Sequence, residues 1–402
     1  MTVAEGGERV PRVVSARRIL AAAVVVQAAV SFAEQGVPTL GVFLEEDLSL
    51  SATEVGALVA MLGLGRLVSF YAAGRAVDVR GERRVLLVGA LGTGVFVALA
   101  AGVGYTAMLG VFFVAGVFLA TATPAGGKLV FGSVAPHRRS FAMGLRQAAV
   151  PAGGLAAAAV LPALAGLTSW RVSLLLAGAI AFCGGLVGLV LAGLGPPVEE
   201  TPVRARRALE GLATRPFVLT TVWACILVAS QYVVLTFLAL DARERTGASA
   251  AAAATVLVVV QAAGMTARVG WGAIADRSPA LRMRGLPGLV TALGLLTTLA
   301  LAVLPVANLG WFLVLALLAG VSLNGWQGLW TYRLTELAGV ARAGTASGVA
   351  LTFVALSITL APPTFGGIAD AASMKALWGV LAGVLAIALV LALTFDEGRR
   401  PA

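Results

Sequence analysis

Gly74-Arg75-Ala76-Val77-Asp78, continued by Arg80-Gly81-Glu82-Arg83-Arg84, closes the second long apolar run of this 402-residue chain. In the other half, 198 residues later, Gly272-Ala273-Ile274-Ala275-Asp276-Arg277 closes the eighth. In both, a Gly stands four residues before an Asp at the end of an apolar helix. A local pattern that recurs once per half marks two similar membrane bundles joined in one chain.

The composition agrees. Hydrophobic residues make up 59% of the chain and charged residues 12%, where a soluble domain carries about a quarter charged. There are 49 glycines, many inside apolar runs, and in lipid such residues let helix backbones approach closely. The net charge of +10 does not point to nucleic acid, because the basic residues sit in short loops between apolar runs. Cys183 and Cys225 fall inside predicted spans and read as apolar packing residues. Residues 1–18 are polar, and the first apolar run leads into Pro38 and an acidic loop, so no cleavable signal peptide is expected. The single histidine, His137, lies in a loop without a nucleophile beside it. No metal-ligand spacing or Gly-rich phosphate loop is present in the sequence, so neither an enzyme nor a cofactor is expected.

About 20 apolar residues cross a bilayer. Spans are predicted at 19–38, 53–76, 85–103, 106–130, 140–164, 171–194, 217–240, 249–273, 286–305, 309–333, 345–366 and 376–395. The uncharged stretches 85–127 and 285–332 must each hold two helices, with turns at Gly102-Val103-Gly104 and at Pro305 to Gly310. With the N-terminus in the cytoplasm, 20 of the 29 lysines and arginines fall in cytoplasmic segments, 4 in outer loops and 5 inside spans. That bias satisfies the positive-inside rule and puts both termini in the cytoplasm. The expected fold is therefore an all-α integral membrane protein of twelve transmembrane helices in two pseudo-symmetric six-helix bundles. Its parts are a tail (1–18), an N-terminal bundle (19–194), a cytoplasmic linker (195–216), a C-terminal bundle (217–395) and a second tail (396–402). Within the linker, Arg204 to Glu210 suits a short helix lying on the inner membrane face.

With these features the chain resembles the major facilitator superfamily over nearly its whole length. The family motif after spans two and eight reads Gly, three residues, Asp-Arg, any residue, Gly-Arg-Arg. Gly74, Asp78, Gly81 and Arg83 match it, with Val79 and Glu82 where basic residues are usual. Gly272, Asp276 and Arg277 match the second copy, which lacks the Gly-Arg-Arg. The resemblance implies a secondary transporter with alternating access. It also implies a gating role for Asp78, Arg83, Asp276 and Arg277, through ion pairs between the bundles on the inner side. The alternative is that these charges anchor helix ends at the lipid headgroups. Efflux members carry a Gly- and Pro-rich signature in span five. Gly144 and Gly153 fit its start, but Ala157-Ala158 stand where Gly-Pro is usual. The stretch Gly144-Leu145-Arg146-Gln147 through Pro151 is similar to members with small polar or anionic substrates.

Charges inside the spans nominate the site, because each costs about 2.5–3.5 kcal/mol at mid-bilayer. They are Glu34, Arg66, Lys128, Arg146, Arg268 and, near the end of span ten, Arg333 with Glu336. Spans three, six, nine and twelve have no interior charge, and in the resembled family these face lipid. Arg66 lies 12 residues before Asp78, roughly 18 Å into the membrane, and Arg268 lies 8 before Asp276, roughly 12 Å in. One guanidinium from each bundle can clamp an anion between them. Each has a plainer reading. Arg268 can pair with motif residues below it, Lys128 and Arg146 can snorkel to the inner surface, and Arg333 and Glu336 can satisfy each other at i,i+3. Glu34 suits proton coupling or a standing ion pair with Arg66. In span ten, Asn324, Trp326, Gln327 and Trp330 form a polar-aromatic cluster suited to a small organic ligand or to helix packing. Gln147, Gln231 and Tyr232 are secondary candidates. Pro38, Pro151, Pro162 and Pro362-Pro363 are expected to kink or loosen their helices.

The expected function is secondary active transport of a small organic or inorganic anion by alternating access, coupled to protons, by a monomer in the cytoplasmic membrane. Its substrate-binding residues are Arg66, Lys128, Arg146, Arg268, Asn324, Trp326, Gln327 and Trp330. Glu34 is the proton-coupling residue. The expected partners are the solute, protons and the lipid bilayer. The alternative is proton-driven efflux of drugs or metabolites.

Overall fold

In the computed structural model, residues 15–134, 139–192, 214–277, 285–338 and 343–395 are described. Every regular element among them is a helix. The N-terminal bundle comprises α1 (Ala16–Thr39), the short α2 (Gly41–Leu48), α3 (Ala52–Arg80), α4 (Glu82–Leu99), α5 (Tyr105–Leu119), α6 (Ala122–Ser133), α7 (Arg139–Leu167) and α8 (Trp170–Ala192). The C-terminal bundle comprises α9 (Arg215–Thr246), α10 (Ala250–Arg277), α11 (Leu286–Val303), α12 (Leu309–Leu323), α13 (Gln327–Ala338), α14 (Ala343–Ala371) and α15 (Met374–Leu393). Twelve candidate spans result, with α5–α6 and α12–α13 each forming one crossing. The expected linker helix, and the tails before residue 15 and after 395, lie outside the described residues.

The sequence explains where helices start and stop. Ser51 caps α3 with its hydroxyl, and Glu54 returns its carboxylate to the Ser51 N–H at 2.9 Å, a complete capping box. At the other end of α3, Gly81 is at once the C-cap of α3 and the N-cap of α4, with φ +86°. That angle belongs to glycine, so the motif's second Gly is a backbone requirement of the turn. Between α4 and α5 a single turn of 3-10 helix, Ala100–Gly102, leads to the expected break, and α11 and α12 part between Val303 and Leu309. Pro151 and Pro162 lie within a continuous α7, and Pro362 and Pro363 within a continuous α14.

Small residues set the packing. A Cβ on Gly94 would lie 2.6 Å from the Gly178 carbonyl, and one on Gly178 would lie 2.4 Å from the Gly94 carbonyl, so α4 and α8 cross backbone to backbone. Trp223, Trp378, Phe112, Phe237 and Phe312 fill the bundle interiors and have no exposed surface.

The bundles meet along α3 with α14 and along α7 with α10. At the end of the molecule that carries α2, this contact is close. A Cβ on Gly56 would lie 2.5 Å from the Pro362 carbonyl oxygen, and one on Gly366 would lie 2.5 Å from that of Ala52. Asp370, in the last turn of α14, receives the backbone N–H groups of Ala52 and Thr53, each at 2.8 Å. A carboxylate of one bundle thus caps the helix N-terminus of the other, a charge-assisted arrangement favoured by the helix dipole. The structure is the state in which the α2 end is shut.

Gly56→Leu tests what holds it shut. With Cys183 and Cys225 replaced, spin labels at Thr168→Cys and Ala307→Cys report the separation of the bundles at the α2 end. The leucine variant is expected to lengthen that distance while the protein still inserts and folds. An unchanged distance would mean that the α3–α14 contact does not control closure.

Candidate functional site

Midway along α1, one face presents Gln27, Ser31 and Glu34 at i, i+4 and i+7. Glu34 pairs with Arg66 of α3, and both side chains keep a little exposure, 14% and 16%. From the other bundle, the Tyr232 hydroxyl of α9 donates to Glu34 Oε1 at 2.9 Å. Glu34 and Arg66 are therefore matched, and the Tyr232 hydroxyl ties the pair to the other bundle.

One residue further on, Gln35 donates to the Val150 carbonyl of α7 at 3.2 Å and accepts a hydrogen bond from Gln261 Nε2 of α10. The α7 residue facing this pair is Gly154, where a Cβ would lie 2.3 Å from Gln35 Oε1. Only a residue without a side chain leaves the two amides room to meet.

Asn324 organises the C-terminal bundle. It sits where the tenth span breaks, between Leu323 and Gln327. Its Oδ1 accepts from Gln231 Nε2 at 2.7 Å, and its Nδ2 donates to Gln261 Oε1 at 2.9 Å. Arg268 Nε donates to the Asn324 main-chain carbonyl at 3.1 Å, and Arg268 Nη2 lies 3.4 Å from Oδ1. Gln327 Nε2 donates to Gln231 Oε1 at 2.5 Å. The break thus leaves a carbonyl that a guanidinium of the neighbouring helix satisfies.

The remaining expected residues lie around this centre at different depths. Arg146 is withdrawn into the N-terminal bundle, 2% exposed, with Nη1 donating to Gln27 at 2.7 Å and Nη2 to Gln147 at 3.4 Å. Lys128 is half-buried on α6. Trp326 and Trp330 are buried 5.9 Å apart, and Trp326 meets Trp223 edge-on at 5.6 Å. They are an aromatic wall inside the C-terminal bundle, beside the polar centre. Arg333 donates to Thr220 Oγ1 at 2.9 Å and lies over the Phe395 ring at 4.0 Å, while Glu336 is exposed. Arg83 lines a small cleft with Ala22, Val26 and Leu129, inside the N-terminal bundle rather than between bundles. The side chains of Asp78, Asp276 and Arg277, the other expected gate residues, lie outside those described. A separate cleft of about 460 Å³ between α9, α14 and α15, lined by Phe217, Cys225, Phe353 and Leu360 among others, is apolar and distinct from the polar centre.

Gln27, Gln35 and Gln261 were not singled out in the sequence. Their signal was present: each is a polar residue in an apolar span, and Gln261 lies seven residues, two turns, before Arg268.

Two six-helix bundles around a polar centre that both supply define a membrane transporter of the secondary class. The statistical model of the Major Facilitator Superfamily matches residues 23–362, and the chain belongs to that family. The MFS-type transporters MT3072 and Rv2994 of two Mycobacterium tuberculosis strains are each 29% identical to it over 352 residues, covering 86% of this chain and 78% of theirs. Among solved structures, a bacterial homologue of the human lysosomal transporter Spinster, in an inward-facing and unoccupied conformation, superposes with a TM-score of 0.74 at 16% identity, covering 94% of each chain. A POT family transporter in complex with 5-aminolevulinic acid gives 0.76 at 12% identity, over 93% of this chain and 94% of that one. The nucleoside transporter NupG gives 0.74 at 13% identity, over 93% and 99%. At these identities the structures show a shared fold.

The Arg268–Asn324 link is measurable without a substrate. In a double-mutant cycle of Arg268→Ala and Asn324→Ala, read by thermal unfolding in detergent, the pair is expected to couple by about 1–3 kcal/mol. Additive effects would show that the two residues act independently.

Proposed function

We propose that this protein transports a small anion by alternating access, with Glu34 carrying the coupling proton. The observation that supports this most is the cluster of Glu34, Arg66 and Tyr232, in which one carboxylate holds an arginine at mid-membrane and touches both bundles. When Glu34 takes a proton, Arg66 loses its charge partner and a substrate anion takes its place. When Glu34 releases the proton, the ion pair re-forms and displaces the anion. Tyr232 lets the other bundle sense which of these has happened.

Arg268 and Arg146 add to the attraction for anions. Among the described residues, the hydrogen-bond partners of both are amide and carbonyl oxygens, which carry no formal negative charge. Arg268 lies nearer the bundle interface, and Arg146 supports the site from within the N-terminal bundle. Lys128, Gln327, Trp326 and Trp330 complete the substrate region in this reading. Asp78, Asp276 and Arg277 belong to the gate at the end opposite α2, and Arg83, set within the N-terminal bundle, supports that end from one side.

The positive-inside bias supports an orientation with both termini in the cytoplasm and α2 outside the cell. In that orientation the shut end is the outer one. We assign the protein to the cytoplasmic membrane, as a monomer whose residues 195–216 link the bundles.

Purified protein in proteoliposomes tests the reading. With a pH gradient imposed, a panel of small organic and inorganic acids is expected to include one that accumulates. Glu34→Gln is expected to abolish gradient-driven accumulation while preserving exchange of that acid, and Arg66→Ala to lose both. Expulsion of cationic dyes, with no acid accumulated, would replace this reading with efflux.

A further inference from the structure

The α2 end holds a group of charges that the central site does not use. Glu45 and Glu46 on α2 face Arg243 and Glu244 on the last turns of α9, around a vestibule of about 750 Å³. Arg243 donates to Glu46 at 3.0 Å and lies 3.8 Å from Glu45. Asp370 of α14 is also within electrostatic range of Glu45. The other charges nearby are engaged elsewhere. Asp47 accepts from Trp170 Nε1 at 2.7 Å and pairs with Arg171 at 3.0 Å, and Asp241 is held by Arg245 and Trp378. The α10 residues that line the vestibule, such as Ala250, bring no charge. Shutting this end therefore adds two carboxylates, Glu244 and Asp370, to the Glu46 that already neighbours Glu45 on α2, with Arg243 as the facing cation. Glu244, Asp370 and Arg243 all come from the opposite bundle, so opening the end carries the two carboxylates and the cation away together and returns Glu45 to water.

We propose that closure of the α2 end is linked to proton uptake by Glu45, so that acid holds this gate shut and alkali loosens it. Like charges driven together in a partly desolvated vestibule favour the neutral form of one of them. Glu45 is the one so placed. Asp370 is committed to the Ala52 and Thr53 N–H groups, and Glu46 has the closer contact with Arg243. Burial foremost, opposed by Arg243 and reinforced by Glu244, Asp370 and Glu46, pushes the Glu45 carboxyl up to about 7 in the shut state, from an ordinary value of 4.5. The shut state therefore binds the proton more tightly than an open state in which Glu45 is hydrated. Its advantage grows as pH falls through 7 and levels off below 4.5. Between pH 8 and pH 5.5 the shut-to-open ratio is expected to rise roughly tenfold to thirtyfold. On the orientation proposed above, this makes the outer gate sensitive to external pH. The proton that acts here is the one on Glu45, a group apart from Glu34 and from the solute.

The same pair of spin labels, Thr168→Cys and Ala307→Cys without the native cysteines, reads the gate in the full chain in lipid nanodiscs. A chelator excludes divalent cations as the closing agent, and both faces see the same pH. The ratio of short-distance to long-distance populations is expected to grow on acidification by the factor given. Glu45→Gln is expected to stay shut at every pH. Glu244→Gln is expected to move the midpoint to lower pH, because it removes one repelling charge. Glu34 is intact in Glu45→Gln, so loss of the pH response in that variant separates this gate from the proposed coupling site. A distance distribution that ignores pH in the parent protein, or a Glu45→Gln variant that still responds as the parent does, overturns the proposal.

Discussion

The placement of Arg66 sets conditions for much of the rest of the molecule. A guanidinium does not shed its proton in a protein, and one lodged roughly 18 Å inside a bilayer must meet water or an acceptor. Glu34 on the adjacent helix supplies the charge, and Tyr232 on the opposite bundle supplies a hydroxyl. The requirement that makes the arginine tolerable therefore also draws α9 toward α1 and α3. Removing Glu34 alone would leave a buried charge without its partner, a larger cost than removing the whole pair. For this reason the conservative Glu34→Gln change, which keeps a carbonyl acceptor, is more informative than deletion.

The two halves share a backbone plan but differ in side chains. Both the fourth and the tenth spans are broken, between Leu119 and Ala122 and between Leu323 and Gln327. At the first break, Thr121 bonds back to the Phe118 carbonyl at 2.8 Å, so the break is satisfied within its own helix. At the second, the carbonyl of Asn324 is served by Arg268 from α10. Bending the tenth span therefore disturbs the eighth, whereas the fourth carries no such link in the contacts described. The Asn324 network is built mainly of amides, which donate and accept at once and satisfy one another without further buried charge.

Much of this was legible in the sequence because the bilayer imposes simple rules. Apolar runs of sufficient length became helices, and the turns at Gly102 to Gly104 and after Val303 fell where uncharged stretches had to fold back. The Glu34–Arg66 pairing was legible as one of two readings, since both charges were isolated in neighbouring spans. The helix breaks were not legible. Ala120 and Thr121 carry no breaking signal, and Asn324-Gly325 reads as interior helix in an apolar run. Asp370 was passed over because a carboxylate at a helix end looks like an ordinary surface charge. Its partners are backbone N–H groups 318 and 317 residues away. No local pattern encodes that register; it follows from how closely α3 and α14 approach at Gly56 and Gly366. Trp326 lies in the break before α13, whereas Trp330 and Arg333 lie on that helix, so a regular helical period through all three does not hold.

Neighbouring residues on α1 connect the centre of the molecule to its shut end. Glu34 accepts from Tyr232, and Gln35 accepts from Gln261, so two consecutive residues bond to two different helices of the other bundle. Consecutive side chains on a helix point about 100° apart, so a single rotation or tilt of α1 cannot preserve both bonds. Any rearrangement that withdraws Glu34 from Tyr232 strains the Gln35–Gln261 bridge, and Gly154 leaves the bridge little room to adjust. The bridge is uncharged, so breaking it exposes amides and leaves no bare ion in the membrane. An uncharged contact beside a charged one is a workable arrangement for a hinge. Glu34 and Arg66 belong to one bundle, so parting the bundles breaks the Tyr232 and Gln261 bonds and leaves no ion pair split across the interface at this level.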